Sequence, residues 1–371
     1  MEQLIFRPKL YRFDTCAAFA EAFALGKDDL VLTLHSVFTP YFDTEKTPVQ
    51  TLFLDDYGKG EPTDDVVNAV IQKAAALRYT RLVAIGGGSV LDTAKVIAVS
   101  EGRHTDALYE NRETLKKSVP LVLVPTTCGT GSEVTNIAIM TRQKLGVKMG
   151  LTSEATYGDY AVLIPELLKS IPFSVFATSS IDALVHAVES YLSPNATPYT
   201  RILSKEAICR IITGYQQLLK AGKEHLPEFT DQFLFSANIA GLAFGTAGCA
   251  AVHAMSYPLS GVYHVAHGES NYAMFTGVLK KYMQIQSDGA IAALNELLSE
   301  QLHCEVGAVY DELENLLNRL LPKKALHEYG VKPEELPVFA ENVIATQQRL
   351  MKNSFVPLNE ETVLDIYRNL Y

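Results

Sequence analysis

The sequence predicts a two-domain protein in which an α/β domain is followed by an all-α domain. Up to about residue 170, short aliphatic and β-branched runs alternate with stretches of helical periodicity, which is typical of βα units on a mainly parallel sheet. After the segment SIPFS (170–174) the strand-like runs stop, and helical periodicity continues to the end of the chain. Because 371 residues allow two separate cores, we expect the domains at 1–172 and 173–371.

Five buried strands are predicted in the first half, because each is a short apolar run bounded by turn residues or helical patterns. The strands are DLVLTL (29–34), TLFLD (51–55), RLVAIG (81–86), PLVLVP (120–125) and YAVLIP (160–165). The helical patterns between them are TDDVVNAVIQKAAALRY (63–79) and SVLDTAKVIAVS (89–100). Two further runs, IAIMTR (137–142) and KMGLTS (148–153), flank a polar turn and predict a small hairpin.

The composition is that of an ordinary globular protein, with 48% hydrophobic and 20% charged residues. The net charge is −10 and the basic residues are not clustered, so we expect no nucleic-acid partner. The five cysteines are scattered without a CxxC pair, and no signal-peptide pattern is visible, so we expect a cytoplasmic protein with reduced thiols. The segment 237–255 is apolar but contains Asn238 and His253, which favours a buried helix over a membrane span.

Three consecutive glycines, Gly86 to Gly88, stand between a predicted strand and a predicted helix. Without Cβ atoms they let a diphosphate approach the backbone, and the helix start offers N–H groups and the positive end of the helix dipole. Ser89 and Asp92 are spaced as a capping box at this start. The spacing matches neither GxGxxG nor the Walker motif. A phosphate-binding loop is favoured, with a tight turn as the alternative.

A second loop, VPTTCGTGSEVTN (124–136), follows the next predicted strand. It adds the hydroxyl groups of Thr126, Thr127, Thr130 and Ser132, which suit hydrogen bonds to a pyrophosphate, a ribose or a nicotinamide amide. The same letters fit P-x-x-x-G-x-G-S, the phosphate loop of small-molecule kinases. At this point phosphoryl transfer is therefore a rival hypothesis.

Asp182 and His186 have the spacing of two metal ligands on one helix. Side chains four residues apart share a helix face, with Cβ atoms about 5–6 Å apart. An isolated pair of this kind is more typical of a surface Asp–His contact. Here the neighbours Ala183, Leu184 and Ala187 are apolar, which favours a buried site.

Two more histidines, His253 and His267, follow at a distance of fourteen residues. Pro258 and Gly261 between them predict a helix break that lets the chain fold back and bring both imidazoles to one place. Together with Asp182, the three histidines form a set that suits a divalent transition metal. The set is too rich in nitrogen for magnesium or calcium.

Four motifs in this order resemble the iron-dependent (group III) alcohol dehydrogenases, and the resemblance covers essentially the whole chain. The motifs are GGGSxxDxAK (86–95), PTTxGTGSEVT (125–135), DALxHAxE (182–189) and HAM…YHVxHG (253–268). The family fold is a Rossmann-like domain on an α-helical domain, the dehydroquinate synthase-like architecture, with metal and nicotinamide meeting in the cleft. The resemblance implies an NAD-dependent dehydrogenase and makes the kinase hypothesis remote, since phosphoryl transfer has no need for an Asp/His₃ set.

Carried over position by position, the resemblance implies which residues bind the metal and which bind the cofactor. The metal, Fe²⁺ with Zn²⁺ as the alternative, is expected at Asp182, His186, His253 and His267. The cofactor is expected at Gly87, Gly88 and Ser89 with Asp92 behind them, at Thr126, Thr127 and Thr130 on the nicotinamide side, and at Lys148 near the ribose. Family members are usually dimers or larger, so we expect a homo-oligomer.

Two departures of the chain from the family pattern concern the proton and the cofactor. Many members have a histidine four residues after the third ligand, where this chain has Tyr257. Tyrosine titrates near 10, so we expect His264, three residues before His267, to relay the proton, with Tyr257 as the alternative. The second strand ends at Leu34 or His35 rather than at an acidic residue for the ribose 2′-hydroxyl, but no arginine nearby favours a 2′-phosphate, so NAD remains expected.

Within the family, the resemblance is closest to members that interconvert 4-hydroxybutyrate and succinate semialdehyde, a small hydroxy-acid and its aldehyde. A substrate carboxylate needs a cation, most strongly an arginine. Arg349 is the candidate because the family's pocket is bordered by this segment, and a surface arginine is the alternative. Other hypotheses are an uncharged primary alcohol or diol as substrate, such as butanol or 1,3-propanediol, and a protein that binds metal and nucleotide without catalysis.

Overall fold

The computed structural model describes residues 3–42, 45–58 and 60–371. The chain divides into two compact units. One is Phe6–Ile171, and the other is Pro172–Tyr371 together with the described residues up to Ile5. Strands of the described part lie in the first unit, and the second unit is helical. The predicted fold class, an α/β domain followed by an all-α domain, is confirmed.

The unit Phe6–Ile171 is built around a parallel sheet. Its strands, within the described residues, are β1 Lys9–Arg12, β2 Asp29–Thr33, β3 Gln50–Phe53, β4 Arg81–Gly86, β5 Leu121–Pro125, β6 Ile137–Arg142, β7 Val147–Thr152 and β8 Tyr160–Leu163. The main sheet has the order β1-β8-β5-β4-β2-β3, and all its neighbours are parallel. Strands β6 and β7 form an antiparallel pair. The five predicted strands and the hairpin are therefore confirmed, with ends that differ by one or two residues.

Strand β1 is not predicted by the sequence pattern, although it pairs with β8 at the edge of the sheet. Its four residues, KLYR, are all exposed. They lack the apolar alternation that marks a half-buried strand. An exposed edge strand gives little hydrophobic signal, and the pairing partner that stabilises it lies about 150 residues away in the chain.

Helices cover the sheet of this unit. Within the described residues they are α1 Cys16–Ala22, α2 His35–Phe38, α3 Asp64–Ala75, α4 Gly88–Ser100 and α5 Thr105–Glu110. Helix α3 begins after Thr63, whose side chain accepts a hydrogen bond from the N–H of Val66. The apolar faces of α3 and α4 pack with β2, β4 and β5 in one buried core.

The second unit is an assembly of helices. In the described residues they are α6 Phe173–Leu192, α7 Pro198–Ala221, α8 Leu226–Ala247, α9 Ala251–Val262, α10 His267–Ile285, α11 Ala290–Leu302, α12 Val309–Asn318, α13 Leu336–Thr346, α14 Gln348–Met351 and α15 Glu360–Leu370. Helix α6 is buried continuously from Ser180 to Ser190 and packs against α7, α8 and α10. A helix buried on every side has no solvent-facing stripe, so polar residues on α6 need partners inside the protein.

Helix α9 continues through Pro258 and Gly261 to Val262, so the break predicted at these two residues is wrong. A proline inside a helix removes one backbone hydrogen bond, but most of α9 is buried, and packing supports its helical backbone. The chain turns instead at 263–266, where His264 has a φ of 54°. Helix α10 then begins at His267.

Across 3–42, 45–58 and 60–371, no single helix is both long and apolar enough to cross a membrane. A bent pair, Lys223–Ala247 with Ala251–Val262 at 107°, meets the same requirement by length and composition alone.

Candidate functional site

Helix α6 places Asp182 and His186 on one buried face. Only 2% and 5% of their surfaces are exposed. Nε2 of His186 lies 4.0 Å from Oδ1 of Asp182. The two residues therefore do not form a surface pair, and a carboxylate at this depth needs neighbouring groups that compensate its charge.

Helices α9 and α10 bring two more imidazoles to the same carboxylate. Nε2 of His253 lies 3.5 Å, and Nε2 of His267 lies 3.7 Å, from Oδ1 of Asp182. The ring centroids of His186 and His253 are 4.6 Å apart, and those of His253 and His267 are 5.4 Å apart. The structure thus brings together all four residues that the resemblance implies as metal ligands, and it does so by the turn at 263–266.

Gly268 allows α10 to begin directly against α6. A Cβ atom at this position would lie 1.9 Å from the carbonyl oxygen of Thr178 and 3.3 Å from Cβ of Asp182. Such a contact with backbone is far inside van der Waals distance, so only glycine permits this approach. The absence of a side chain at 268 therefore sets the distance between His267 and Asp182.

Glu189, also on α6, orients His253. Its Oε2 lies 2.6 Å from Nδ1 of His253 and accepts a hydrogen bond from the N–H of Ala250 at 2.9 Å, and its Oε1 accepts one from the N–H of Val252 at 2.6 Å. Nδ1 is therefore the donor to Glu189, which leaves Nε2 facing Asp182. Burial by itself lowers the pKa of His253, but Glu189 and Asp182 raise it to about 9.

Asn271 on α10 holds Asp182 from another side. Its Nδ2 donates to Oδ1 of Asp182 at 2.7 Å and lies 3.3 Å from Nε2 of His267. Burial acts to raise the pKa of Asp182, but His186, His267 and His253 together lower it well below its usual range. Asp182 is therefore ionised and supplies the negative charge of the site.

The donor set and its spacing fit a divalent transition metal. Ligand atoms around a tetrahedral metal with bonds of about 2.0–2.2 Å lie roughly 3.3–3.6 Å apart. Nε2 of His253 and Nε2 of His267 lie close to this spacing, at 3.5 and 3.7 Å from Oδ1 of Asp182, and Nε2 of His186 lies farther away, at 4.0 Å. Within the described part of the chain, Nε2 of His253 is buried and has no hydrogen-bond partner, although buried polar atoms are normally paired. A cation among these ligands would satisfy that nitrogen.

Cys249 lies in the loop before α9, next to the same residues. Its exposed fraction is 8%, and burial raises the pKa of its thiol well above the usual range. Among the described residues, two groups have ligand atoms that all lie within 4.8 Å of one another. One group is Asp182, His253 and His267, and the other is His186, Cys249 and His253. The sulfur of Cys249 is thus a further donor beside the imidazoles.

The glycine loop, Gly86 to Gly88, leads directly into α4, and no side chain caps the start of this helix. Gly87 is the cap of α4 and offers no side chain, so the capping box predicted for Ser89 and Asp92 is wrong. The helix already starts at Gly88, which places Ser89 inside the first turn rather than at the cap. A Cβ atom at Gly88 would lie 2.8 Å from Cγ2 of Thr130, so the two predicted loops touch through this glycine.

Asp92 fastens the second loop to α4 instead of capping the helix. Its Oδ1 accepts a hydrogen bond from Oγ of Ser132 at 2.5 Å, and its Oδ2 accepts one from the N–H of Ile139 at 2.8 Å. Lys95, fully buried, donates to Oγ of Ser132 and to the carbonyl of Ile137, both at 2.7 Å. Burial lowers the pKa of Lys95, and Asp92 opposes this shift. The network lies behind the glycines and holds both loops together.

The threonines predicted to contact the nicotinamide follow β5. Thr126 is buried, and Thr127 and Thr130 are half-buried. The N–H of Thr126 donates to the carbonyl of Gly86 at 3.0 Å, and a Cβ atom at Gly87 would lie 3.3 Å from Cγ2 of Thr127. The structure thus places the three threonines against the glycine loop.

Lys148, predicted near the ribose, lies on β7 and forms an ion pair with Glu61. The adjacent residue, Gly60, accepts a hydrogen bond from Oγ of Ser89 at 3.5 Å. The segment 60–61 therefore connects Lys148 to the glycine loop.

Asp55 and Asp56, in the short helical turn that follows β3, provide carboxylates next to the end of β2, where Leu34 provides none. The N–H of His35 lies 3.3 Å from Oδ1 of Asp55, and its Nε2 lies 3.0 Å from Oδ1 of Asp56. The ring of His35 stacks on Phe53, with centroids 3.7 Å apart. Since β3, β2 and β4 are parallel neighbours, these carboxylates lie at the sheet edge that carries the glycine loop.

Of the two candidates for the proton relay, Tyr257 lies on α9 and His264 lies in the turn before α10. The ring of Tyr257 is half-buried, and its centroid is 6.3 Å from that of His267. His264 is exposed. Tyr257 has the contact with a metal-site residue and His264 has the access to water, and a proton relay needs both properties.

Arg349, predicted to bind a substrate carboxylate, is exposed on α14. Nδ2 of Asn353 donates to the carbonyl of Cys249 at 3.0 Å and lies 3.3 Å from that of Arg349. The positive charge of Arg349 lowers the pKa of the Cys249 thiol against the larger effect of burial. Arg349 is therefore a cation within electrostatic reach of the loop that precedes His253.

Sequence reasoning assigned no role to several residues that the structure places in these sites. Glu189 and Lys95 stand inside the motifs quoted above, and Glu189 occupies the last letter of DALxHAxE. Ser132 was expected to bond the cofactor, whereas its hydroxyl bonds Asp92 and Lys95. Asn271 stands four residues after His267, which is the spacing of neighbours on a helix. Cys249 had no such signal, because it lies outside the four motifs.

Comparison with known families gives two matches that together span most of the chain. Residues 17–165 match the model described as iron-containing alcohol dehydrogenase. Residues 176–371 match the model described as Fe-containing alcohol dehydrogenase family, C-terminal.

Individual relatives agree with these matches. The chain is 42% identical, over 371 residues and 100% of both chains, to 4-hydroxybutyrate dehydrogenase of Clostridium kluyveri. It is 34% identical over 316 residues to long-chain-alcohol dehydrogenase 1 of Geobacillus thermodenitrificans, covering 83% of this chain and 79% of that one. Among solved structures, sulfoacetaldehyde reductase from Bifidobacterium kashiwanohense in complex with NAD⁺ has the same fold, with a TM-score of 0.85, 23% identity, and coverage of 100% and 99%.

Proposed function

The chain belongs to the iron-containing alcohol dehydrogenase family, and from this premise we propose that it interconverts 4-hydroxybutyrate and succinate semialdehyde with NAD(H). In the direction of reduction, an aldehyde, NADH and a proton give the alcohol and NAD⁺. The observation that carries the proposal is the 42% identity to a 4-hydroxybutyrate dehydrogenase along the whole of both chains. The resemblance to the family that four sequence motifs indicated is confirmed.

We assign the metal to Asp182, His186, His253 and His267. Fe²⁺ is the expected ion, and Zn²⁺ is the alternative, because a set of one carboxylate and three imidazoles accepts either. When bound, the ion supplies Lewis-acid polarisation of the substrate oxygen, which is worth several kcal/mol in charge stabilisation. The support in the structure is the spacing of the three imidazoles around Oδ1 of Asp182, together with Nε2 of His253, which has no hydrogen-bond partner among the residues that the structure describes.

The protein's own task at this site is to hold the four ligands in orientation. Glu189 accepts from Nδ1 of His253, which keeps Nε2 free for the ion, and such outer partners commonly raise metal affinity 10–100-fold. Asn271 donates to Asp182 and so fixes the carboxylate.

We assign the cofactor to the glycine loop of the α/β unit. The backbone N–H groups at Gly87, Gly88 and Ser89 suit the pyrophosphate, since the start of α4 has no side-chain cap. Asp92 supports the loop from behind, Thr126, Thr127 and Thr130 line the nicotinamide side, and Lys148 stands near the ribose. The carboxylates of Asp55 and Asp56 favour NAD over NADP, because they repel a 2′-phosphate.

The proton that accompanies hydride transfer needs a path to water. We assign the relay to His264, with Tyr257 as the second candidate on account of its ring contact with His267. We further propose that the protein acts in the cytoplasm as a homodimer or larger homo-oligomer.

Arg349 is the residue that we assign to the carboxylate of the substrate. Its charge reaches the loop before His253, and an arginine–carboxylate pair is strong and directional. The alternative, an uncharged primary alcohol, is favoured by relatives such as the long-chain-alcohol dehydrogenase, whose substrates need no cation.

The proposal is tested by removing metals, restoring Fe²⁺ without oxygen, and following NADH oxidation with succinate semialdehyde and with butyraldehyde. We expect kcat/KM to be higher for succinate semialdehyde by about tenfold or more, since a charge-assisted pair contributes roughly 1.5–3 kcal/mol. NADPH should be a poorer donor than NADH. Equal turnover of the two aldehydes would favour the uncharged-alcohol alternative.

A substitution of Arg349 makes the test specific. Arg349→Gln should remove the preference for succinate semialdehyde by raising its KM, while kinetics with butyraldehyde stay the same. Arg368→Gln is the matched control, because Arg368 is an exposed arginine on a neighbouring carboxyl-terminal helix, α15. If both variants behave alike, Arg349 is a surface arginine.

A further inference from the structure

Cys249 adds a sulfur donor to a site whose other donors are nitrogen and oxygen. The thiol is buried in the loop that leads into α9. One ligand atom each from His186, Cys249 and His253 lie within 4.8 Å of one another. Two of these residues, His186 and His253, also face Oδ1 of Asp182.

The site therefore contains two overlapping ligand sets. The first, Asp182 with three imidazoles, is a harder set that suits Fe²⁺. The second, His186, His253 and the sulfur of Cys249, is a softer set, and thiolates select zinc and other thiophilic ions. Among the described residues, the buried Nε2 of His253 has no hydrogen-bond partner, so this imidazole is placed to bind a cation in either set.

We infer that Cys249 gives the protein a second mode of metal binding, in which Zn²⁺ and similar thiophilic cations are held by His186, His253 and the thiolate of Cys249. On binding, the S–H bond of Cys249 breaks, its proton passes to solvent, and the sulfur electron pair forms the bond to the metal. No oxidant or reductant takes part. The inference rests on the proposed function only in that His186 and His253 serve both sets.

The consequence is a site whose geometry depends on the ion. A Zn²⁺ ion held by the softer set would use the sulfur of Cys249 in place of Asp182 and His267, the two ligands that this set does not share. At sites with nitrogen and sulfur donors Zn²⁺ generally binds more tightly than Fe²⁺. Zn²⁺ therefore competes with iron and inhibits the iron enzyme.

X-ray absorption at the zinc and iron edges tests this inference on the full-length protein. Zn²⁺-loaded protein should show a sulfur neighbour at about 2.3 Å besides nitrogen and oxygen neighbours at about 2.0–2.2 Å. Fe²⁺-loaded protein should show nitrogen and oxygen neighbours without sulfur. A zinc spectrum that contains nitrogen and oxygen alone overturns the inference, whether or not any variant folds.

Substitutions identify the sulfur. Cys249→Ser and Cys249→Ala should abolish the zinc–sulfur signal and lower Zn²⁺ affinity, measured against a chelating indicator, by about tenfold or more, with a smaller change for Fe²⁺. Cys209→Ser, which removes a half-buried thiol on α7, should change neither quantity. A sulfur signal that persists in both Cys249 variants also overturns the inference. If the iron-loaded protein fails to reduce the aldehyde, the proposed function is wrong. That failure is distinguishable from failure of the inference, because the zinc–sulfur signal is measured without any enzyme assay.

Discussion

The glycine loop and the metal site differ in how far their buried polar groups are hydrogen-bonded within the protein. Around the loop, Asp92 accepts hydrogen bonds from Ser132 and from the N–H of Ile139, and Lys95 donates to the same serine. In the metal site three imidazoles face one oxygen of Asp182, and in the described part of the chain Nε2 of His253 has no hydrogen-bond partner. The loop is complete by itself, whereas the metal site needs a cation to balance its donors.

The difference indicates which part of the chain acts in each site. The metal site depends on side chains contributed by three helices, so a single substitution removes a ligand outright. The glycine loop offers backbone N–H groups at the start of α4, and its side chains mainly hold the loop in shape. We therefore expect side-chain changes to matter most in the metal site and backbone changes to matter most in the loop.

Asp182→Asn should have the largest effect. It removes the carboxylate of the ligand set while keeping the size of the side chain, so the ion loses its charge partner. We expect bound iron to be lost after reconstitution and kcat/KM to fall by about a thousandfold or more, since the metal contributes several kcal/mol to catalysis. Metal analysis and the NADH assay measure the two effects separately.

Asp29→Asn is the matched control for this substitution. Asp29 is also a buried aspartate, and it is bonded to Arg81 at 2.6 Å in the α/β unit. Its substitution should lower stability but leave iron content unchanged. If Asp182→Asn protein retains one iron per chain, the assignment of the ligand set is wrong.

Gly268→Ala should have the second largest effect, because it disturbs the metal site through the backbone. The new Cβ atom would lie 1.9 Å from the carbonyl oxygen of Thr178, so α10 must move away from α6 and carry His267 from Asp182. We expect metal affinity to fall about 10–100-fold and the free energy of unfolding to fall by about 1–3 kcal/mol. Competition with a chelating indicator and urea unfolding measure these changes.

Gly261→Ala is the control for this effect, because Gly261 lies on the neighbouring helix α9 and a Cβ atom there meets nothing within 4 Å. Alanine is favoured over glycine in a helix by about 1 kcal/mol, so this variant should be as stable as the parent or slightly more so. Equal losses in the two variants would mean that the close approach of α10 to α6 does not position His267.

In the metal-free protein, the free energy of unfolding should depend on pH through the proton bound to His253. In the folded state Glu189 and Asp182, acting against burial, raise the pKa of His253 from 6.5 to about 9. The stability that this proton contributes is therefore fully present below pH 6.5 and is lost as the pH rises through 9. Urea unfolding between pH 6 and 9.5 should show this decline. Metal should suppress it, because the ion takes the proton's place on Nε2.

Glu189→Gln isolates the cause of that decline. The amide keeps a hydrogen-bonding oxygen but not the charge that raises the pKa of His253, so stability should change less between pH 6.5 and 9. A variant whose stability declines as steeply as that of the parent protein would show that other groups produce the effect.

The sequence was sufficient to predict the features that depend on local pattern. The alternation of strands and helices predicted the parallel sheet and the helical half, and periodic apolar residues marked α3 and α4. The motifs predicted the four side chains of the metal site, in which three imidazoles meet at Asp182. These signals work because hydrophobic periodicity and ligand chemistry are properties of short segments.

Features that depend on packing between distant segments were not predictable in this way. The buried surroundings of α9 keep Pro258 inside a helix, although proline predicts a break. Asp92 has the spacing of a capping residue, but its carboxylate accepts hydrogen bonds from Ser132 and Ile139, which lie forty or more residues later in the chain. Cys249 carries no pattern at all, and its proximity to His186 follows only from the packing of the loop before α9 against α6.

The smallest effect is expected from Ser89→Ala in the glycine loop. The hydroxyl of Ser89 makes one long hydrogen bond, 3.5 Å to the carbonyl of Gly60, and the backbone N–H groups of the loop remain. Losing one neutral hydrogen bond costs about 0.5–1.5 kcal/mol, so the KM for NADH should rise no more than about tenfold while kcat is unchanged. Gly88→Ala should raise that KM further, because its Cβ atom would lie 2.8 Å from Cγ2 of Thr130 and must displace the loop. The opposite order, with the serine variant impaired more than the glycine variant, would show that the loop also recognises the cofactor through its side chains.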